Sequence, residues 1–231
     1  MPGKRFNNMA EAAFLLGTLL IALGTTLLSR AGFGMSMVVA PAYVLSAHFP
    51  SVSDGTMCYL YYGVLVATAM GMRRRFCLSY LFSFFAAVLF GLAVDAFAWC
   101  MSFLPEPSFL GRVALYLIGV PISALSIALL LHSYFPPQPP ELFVKTLAAV
   151  GKRDVYRMKY LYDIASLLLS AGLSLLFFRQ LRFIGPGTFV AALVNGPLIG
   201  YFGRKMEKIA DFSPLIPALG RYFSAEESTI A

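Results

Sequence analysis

Charge is scarce in this chain. Asp and Glu number 11 and Lys and Arg 18 among 231 residues, so 13% are charged, against about 25% in a soluble domain. So few charges cannot cover a water-facing shell, which excludes an ordinary soluble globular protein. An apolar share of 59% and a mean hydropathy of +0.75 exclude a disordered chain. The three cysteines, Cys58, Cys77 and Cys100, show neither ligand spacing nor a redox pair, so a disulfide scaffold is excluded too. Only two histidines are present, His48 and His132, and the topology derived below puts them on opposite sides of a membrane. There is no Walker loop, and Gly32-x-Gly34 lacks the third glycine and the preceding strand of a dinucleotide fingerprint. These absences lead us to expect no enzyme, no metal and no cofactor.

What is present is a set of apolar stretches of membrane length. A helix needs about 20 apolar residues to cross a bilayer. Uncharged segments run over Ala12–Ser29, Gly55–Met72, Phe76–Val94, Val113–Phe135, Ile164–Phe178 and Phe183–Gly203. The third is expected to continue past Asp95 to about Leu104, and the fifth to begin near Tyr160 and contain Asp163. The stretch Ala31–Ser53 is also uncharged, but it holds Gly32, Gly34, Pro41 and Pro50. It reads either as a seventh span or as a short helix that enters without crossing.

Charge decides between the two. Lys and Arg collect in cytoplasmic loops. With six spans and both termini inside, fourteen of the eighteen lie on the inner side; Arg30, Arg112, Arg179 and Arg182 lie outside. A seventh span would move Arg73–Arg75 outside and invert every later loop. The net charge of +7 therefore reads as contact with anionic lipid heads rather than with nucleic acid. No small-x-small cleavage pattern precedes Arg30, so the first apolar run reads as an uncleaved span.

The two halves resemble one another. Met57-Cys-Tyr-Leu-Tyr61 matches Met158-Lys-Tyr-Leu-Tyr162 at an offset of 101 residues, and Phe84, Ala86, Ala87, Gly91 and Phe97 match Phe189, Ala191, Ala192, Gly196 and Phe202 at 105. Each half reads as span, short non-crossing segment, span, span, the short segments being about Gly34–Phe49 and Pro137–Val150. In the second, Pro140 and Glu141 suit a helix start, and Leu142, Phe143, Leu147 and Val150 share a face, as in an interfacial helix. Three crossings per half force the halves into opposite orientations. The expected fold is all-α: one membrane domain of six transmembrane helices in two inverted-topology three-helix repeats, about 10–104 and 109–203, with a cytoplasmic tail over 204–231. Inverted repeats are a plan of secondary transporters, with a site near the midplane.

Gly32-Phe-Gly-Met-Ser36, Lys159-Tyr-Leu-Tyr-Asp163 and Gly185-Pro-Gly-Thr188-Phe-Val-Ala-Ala-Leu-Val-Asn195-Gly-Pro197-Leu-Ile resemble the bacterial YczE/YitT-type integral membrane proteins. The likeness spans roughly residues 10–205. Met35-Ser-Met-Val-Val stands where relatives often carry a Pro-Trp pair. The resemblance implies a multi-pass protein of the bacterial inner membrane and leaves its biochemical role open.

Ionisable side chains inside a bilayer cost about 2.5–3.5 kcal/mol on insertion scales and need a partner or a purpose. Asp95 stands alone in the third span, with Arg30 or Arg112 able to neutralise it. Asp163 falls four residues after Lys159, the spacing of a helical ion pair. Asn195, beside Gly196 and Pro197, faces another helix or a cavity. Thr188 and Ser36 are candidate helix caps after Gly187 and Gly34, and such starts can bind anions. Tyr43, Tyr61 and Tyr162 are candidate cavity walls, whereas Tyr59 reads as an interfacial anchor. The first hypothesis is a transporter or facilitator of a small polar solute, held near Ser36, Tyr43, Tyr61, Asp95, Asp163, Thr188 and Asn195. The rival is an accessory scaffold with the basic surface and the Pro137–Val150 helix as its contact face. An intramembrane enzyme acting on lipid lacks an acid–base set. Small residues such as Gly17, Gly24, Gly91, Ala171 and Gly172 allow close helix approach within one chain or between two, so a homo-oligomer is compatible with the sequence.

Overall fold

The computed structural model describes residues 9–74 and 77–230 and is all-helical over them. Lys4, Arg5 and Arg75, counted above on the inner side, lie outside these residues. In chain order the helices are α1 (Ala10–Ala31), α2 (Ala40–His48), α3 (Asp54–Arg73), α4 (Leu78–Ser102), α5 (Phe109–Leu131), α6 (Pro139–Gly151), α7 (Val155–Phe178), α8 (Pro186–Glu207) and α9 (Pro217–Ile230). Among the described residues, α1, α4, α5 and the part of α7 from Arg157 are long and apolar enough to cross a membrane. With 20 and 22 residues, α3 and α8 are about 30 Å long or a little more. They are less apolar because they carry glycines, Thr188, Asn195 and the tyrosines at 59, 61 and 62.

The six long helices run alternately between two ends. At one end Glu11, in the first turn of α1, accepts hydrogen bonds from Tyr134 beyond α5 and from the Leu215 and Ile216 amides. His132, at the end of α5, meets Glu207 at the end of α8. At the other end Arg30 donates to the Met101, Leu104 and Pro105 carbonyls and so closes the end of α4. The first end carries Arg73, Arg74, Lys145, Lys152, Arg153, Arg204, Lys205 and Lys208, and the second carries Arg30, Arg112, Arg179 and Arg182. We call the first the basic end.

The ambiguous stretch Ala31–Ser53 forms the nine-residue helix α2, too short to cross. Gly32 ends α1 at φ +71°, and Gly34 follows at φ +111°. Both conformations suit glycine. A side chain on Gly34 would also strike Thr188 and the Gly185 amide. The 13-residue α6 is likewise too short, but it does not lie on a surface as an interfacial helix would. Leu142, Val144, Thr146 and Ala148 are all buried, because α6 is embedded against α3, α4 and α7. The C-terminal tail holds the helix α9, which the sequence reading did not anticipate. Its Phe223 is buried against Phe82, Phe135 and Tyr134.

Exchanging α1–α4 for α5–α8 leaves the packing pattern almost unchanged. α1 packs on α5; α4 packs on α1 as α8 packs on α5. Each short helix lies between α3 and α7. Individual contacts repeat as well. Gly17 faces Leu130, and Gly119 faces Leu28. The Phe14 ring lies 4.6 Å from Phe135, and the Phe33 ring 5.9 Å from Tyr116. In both sets the exchanged residues are 102 apart in sequence.

One pair breaks the pattern. α3 packs closely along α4, whereas α7 makes no extended packing with α8. The reason lies in three positions. Gly55 and Gly91 meet backbone to backbone, and a Cβ on either would strike the other's carbonyl. Asp95 then accepts from the Gly55 amide at 2.8 Å and the Ser53 hydroxyl at 2.6 Å. At the repeat offsets Gly55 corresponds to Tyr156, Asp95 to Gly200, and Gly91 to Gly196, which has nothing within 4 Å of its would-be Cβ. The second half thus lacks both the glycine opposite and the carboxylate. We predict that Gly91→Ala destabilises the protein by about 1–3 kcal/mol through overpacking while Gly196→Ala does not. Thermal unfolding of the two variants in detergent checks this, and equal losses would contradict the account.

Candidate functional site

The N-terminal ends of α2 and α6 converge on a cavity of about 390 Å³ between α1, α4, α5 and α8. Its walls are mostly apolar: Ile21 and Leu28 from α1, Phe90 from α4, Ile127 and Leu130 from α5, and Ile199 from α8. Polar side chains interrupt this lining at a few points: Ser36 ahead of α2, Gln138 at the start of α6, Ser123 on α5 and Asn195 on α8. Ser36 and Gln138 are 102 residues apart, and Phe90 and Asn195 are 105 apart. Positions equivalent in the two halves therefore face the same space.

Three of these polar groups have no protein partner. The Ser123 hydroxyl, Gln138 Nε2 and Asn195 Oδ1 are buried and unbonded. A buried polar group left unsatisfied costs about 1–3 kcal/mol, and three round one cavity call for an explanation in function rather than stability.

Charge enters from α6 and α7. Glu141, in the first turn of α6, and Lys159, near the start of α7, both line the cavity. Lys159 Nζ lies 2.8 Å from Asp163 Oδ1 and 3.9 Å from Glu141 Oε1. Two carboxylates thus share one ammonium, and the weaker share falls to Glu141. That side chain keeps 47% of its surface open. Lys145, one turn further along α6, lines a separate small pocket with Tyr134 and Phe223.

The structure divides the seven candidate residues. Ser36 and Asn195 line the cavity directly, and Asp163 borders it through Lys159. Ser36 does not cap α2 with its side chain; its carbonyl receives the Val39 and Ala40 amides instead. Asp95 lies away from the cavity, at the end opposite the basic one. Arg30 does not neutralise it, because that guanidinium is spent on the α4 carbonyls. Thr188 is buried beneath Gly34, and α8 starts at Pro186, three residues earlier than Thr188 capping after Gly187 would require. The Thr188 hydroxyl accepts from the Gly185 amide at 3.3 Å. Tyr43 is fully buried, its ring 5.6 Å from Phe183. Tyr61 lies beside Tyr162 and Tyr62. Tyr61 and Tyr162 are 101 residues apart, so this contact pairs equivalent positions. Glu141, Gln138 and Ser123 were not singled out from sequence. Glu141 read as a partner of its own helix dipole, and a lone Ser in an apolar span carries no signal until its neighbours are known.

The fold and the cavity together define a helical membrane protein with a polar-studded space between its two halves. The chain belongs to the DUF6198 family, a family of unknown function, whose model matches residues 9–204. No curated protein and no solved structure matches it.

Asp95 is bonded only within the α3–α4 seam, so its role there is structural. We expect Asp95→Ala to lose about 2 kcal/mol, the worth of hydrogen bonds to a charged group, when unfolding is followed in detergent. Reagent access to the cavity is expected to stay unchanged. Altered access in the variant would assign Asp95 to the site instead.

Proposed function

We propose that this protein is a secondary transporter or facilitator of a small solute, with the binding site in the cavity between two inverted repeats. In this reading α1, α3, α4, α5, α7 and α8 all cross the bacterial inner membrane. The basic end faces the cytoplasm, as the excess of Lys and Arg there favours, and the YczE/YitT likeness belongs to the same reading. Three buried, unpartnered polar groups on residues that line one central space carry the proposal. The two short helices that start beside that space support it, since half-crossing helices whose N-termini point at a midplane site are a transporter device. The scaffold reading asks α6 to offer a free contact face, but Leu142 is buried, Phe143 and Leu147 are partly buried against neighbouring helices, and Val150 alone of that face is exposed.

The reading predicts alternating exposure of Asn195. In a chain with Cys58, Cys77 and Cys100 replaced by Ala, Asn195→Cys should react with a membrane-impermeant thiol reagent from the outer side and, in another population, from the inner side. Reaction from one side only under every condition, or none, would sink the transport reading. In this reading Asp163 binds the coupling proton or cation, and an Asp163→Asn protein that transports like the parent in membrane vesicles removes it from that role.

A further inference from the structure

The chemistry of the cavity narrows the solute. Apolar side chains from α1, α4, α5 and α8 make up most of its surface, so a fully hydrated sugar-like or ionic solute would lose its water against hydrocarbon. Its volume of about 390 Å³ is within the range of small-molecule pockets, about 300–1,000 Å³. At its charged edge Glu141, Asp163 and Lys159 sum to one negative charge in excess. Among the described residues lining the cavity, Lys159 is the one Lys or Arg, and at 2.8 Å it is committed to Asp163. Among the described residues the only cation within 4 Å of Glu141 is that same ammonium, at 3.9 Å, and Lys145, one turn along α6, acts on it more weakly from outside the cavity lining. An anionic ligand would therefore meet an uncompensated carboxylate, whereas a cationic one would complete its pairing. Ser36 and Asn195 add a hydroxyl and an amide to the same lining.

The walls also suggest the route. Helices α8, α5, α1, α4, α3 and α6 follow one another round the cavity by packing neighbour on neighbour, and α7 joins α6. Only between α7 and α8 is extended packing absent, and both contribute lining residues, Lys159 from one and Asn195 and Ile199 from the other. A seam there opens sideways, toward lipid. A solute that already partitions into the bilayer could use it.

We propose that the cavity takes an amphipathic organic cation, its ammonium group at the Glu141 carboxylate and its hydrocarbon body along Leu28, Ile127 and Leu130. This rests on the cavity being a solute site, as proposed above, and names the class of solute. Three probes with the same chain and different heads decide it: n-hexylammonium, 1-hexanol and hexanoate. Each is titrated calorimetrically into the protein held in phosphatidylcholine nanodiscs, with empty discs as the blank. Hexylammonium should bind at least tenfold more tightly than either of the others. Glu141→Gln should lose that advantage, and Glu141→Asp should keep most of it. Asp163→Asn releases Lys159 to pair with Glu141 and should weaken binding severalfold. Equal binding of hexanol, tighter binding of hexanoate, no binding of hexylammonium by the parent, or full affinity in Glu141→Gln would each overturn the proposal. The comparison of heads needs only the parent, so it stands even if a Glu141 variant fails to fold. Ammonium binding without two-sided reactivity at Asn195→Cys would remove the transport reading and keep this one. Two-sided reactivity without any preference for the cation would do the reverse.

Discussion

The crossing of α1 over α5 joins the two halves. In lipid no hydrophobic force draws two apolar helices together, so their association depends on close packing and on interhelical bonds. Small residues make that closeness available here. Gly24 lies under the Ser123 hydroxyl, Gly17 under Leu130, and Gly119 under Leu27 and Leu28. Any Cβ at Gly24 would strike Ser123. Because Gly17–Leu130 and Gly119–Leu28 are the same contact seen from either half, the crossing also sets the relation of everything attached to it. Phe33 against Tyr116 and Phe135 against Phe14 then close the two ends in the same way. The chain leaves each end through a short helix aimed back at the crossing.

A cavity follows from that arrangement. Half-crossing helices cannot fill the layer that full-length ones fill, and the space between their N-termini and the α1–α5 crossing stays open. Its polar fittings are few and unpaired, which costs stability and is a common mark of a functional site. The departure from symmetry is just as physical. Asp95, Gly55 and Gly91 knit α3 to α4, and the corresponding positions in the second half carry neither the carboxylate nor the facing glycine. One wall is therefore sealed while its equivalent is not.

Much of the fold was legible in the residues. The spacing of Lys and Arg marked the six long helices to within a few residues, since charges are expelled to the ends of apolar helices. Glycine and proline between Ala31 and Ser53 left a seventh span or a short helix open, the Lys and Arg distribution chose the short helix, and α2 is a nine-residue helix. Equivalent contacts recur between the halves at an offset of 102, close to the 101 and 105 of the sequence matches. The pattern of α6 marked a short helix, and that helix packs against α3, α4 and α7 with Leu142, Val144, Thr146 and Ala148 buried and Val150 exposed. The helix α9 was missed because its sequence, with Arg221 amid Phe, Tyr and Glu, reads as an ordinary polar tail until Phe223 finds Phe82 and Phe135.

The site was legible only in part. Charge distribution and helix length are local or additive properties, so composition and spacing sufficed for the class, a helical membrane protein. Asn195 and Asp163 could be suspected for a similar reason: each is conspicuous within its own span. Which groups share a space is a different kind of fact. Asp95 looked the most exposed to need and is satisfied by Ser53 and Gly55, forty residues away. Glu141 looked satisfied by its own helix and instead borders the cavity with half of an ammonium's attention. Pairing across that distance depends on how helices cross, and the crossing angle is not written in any one of them.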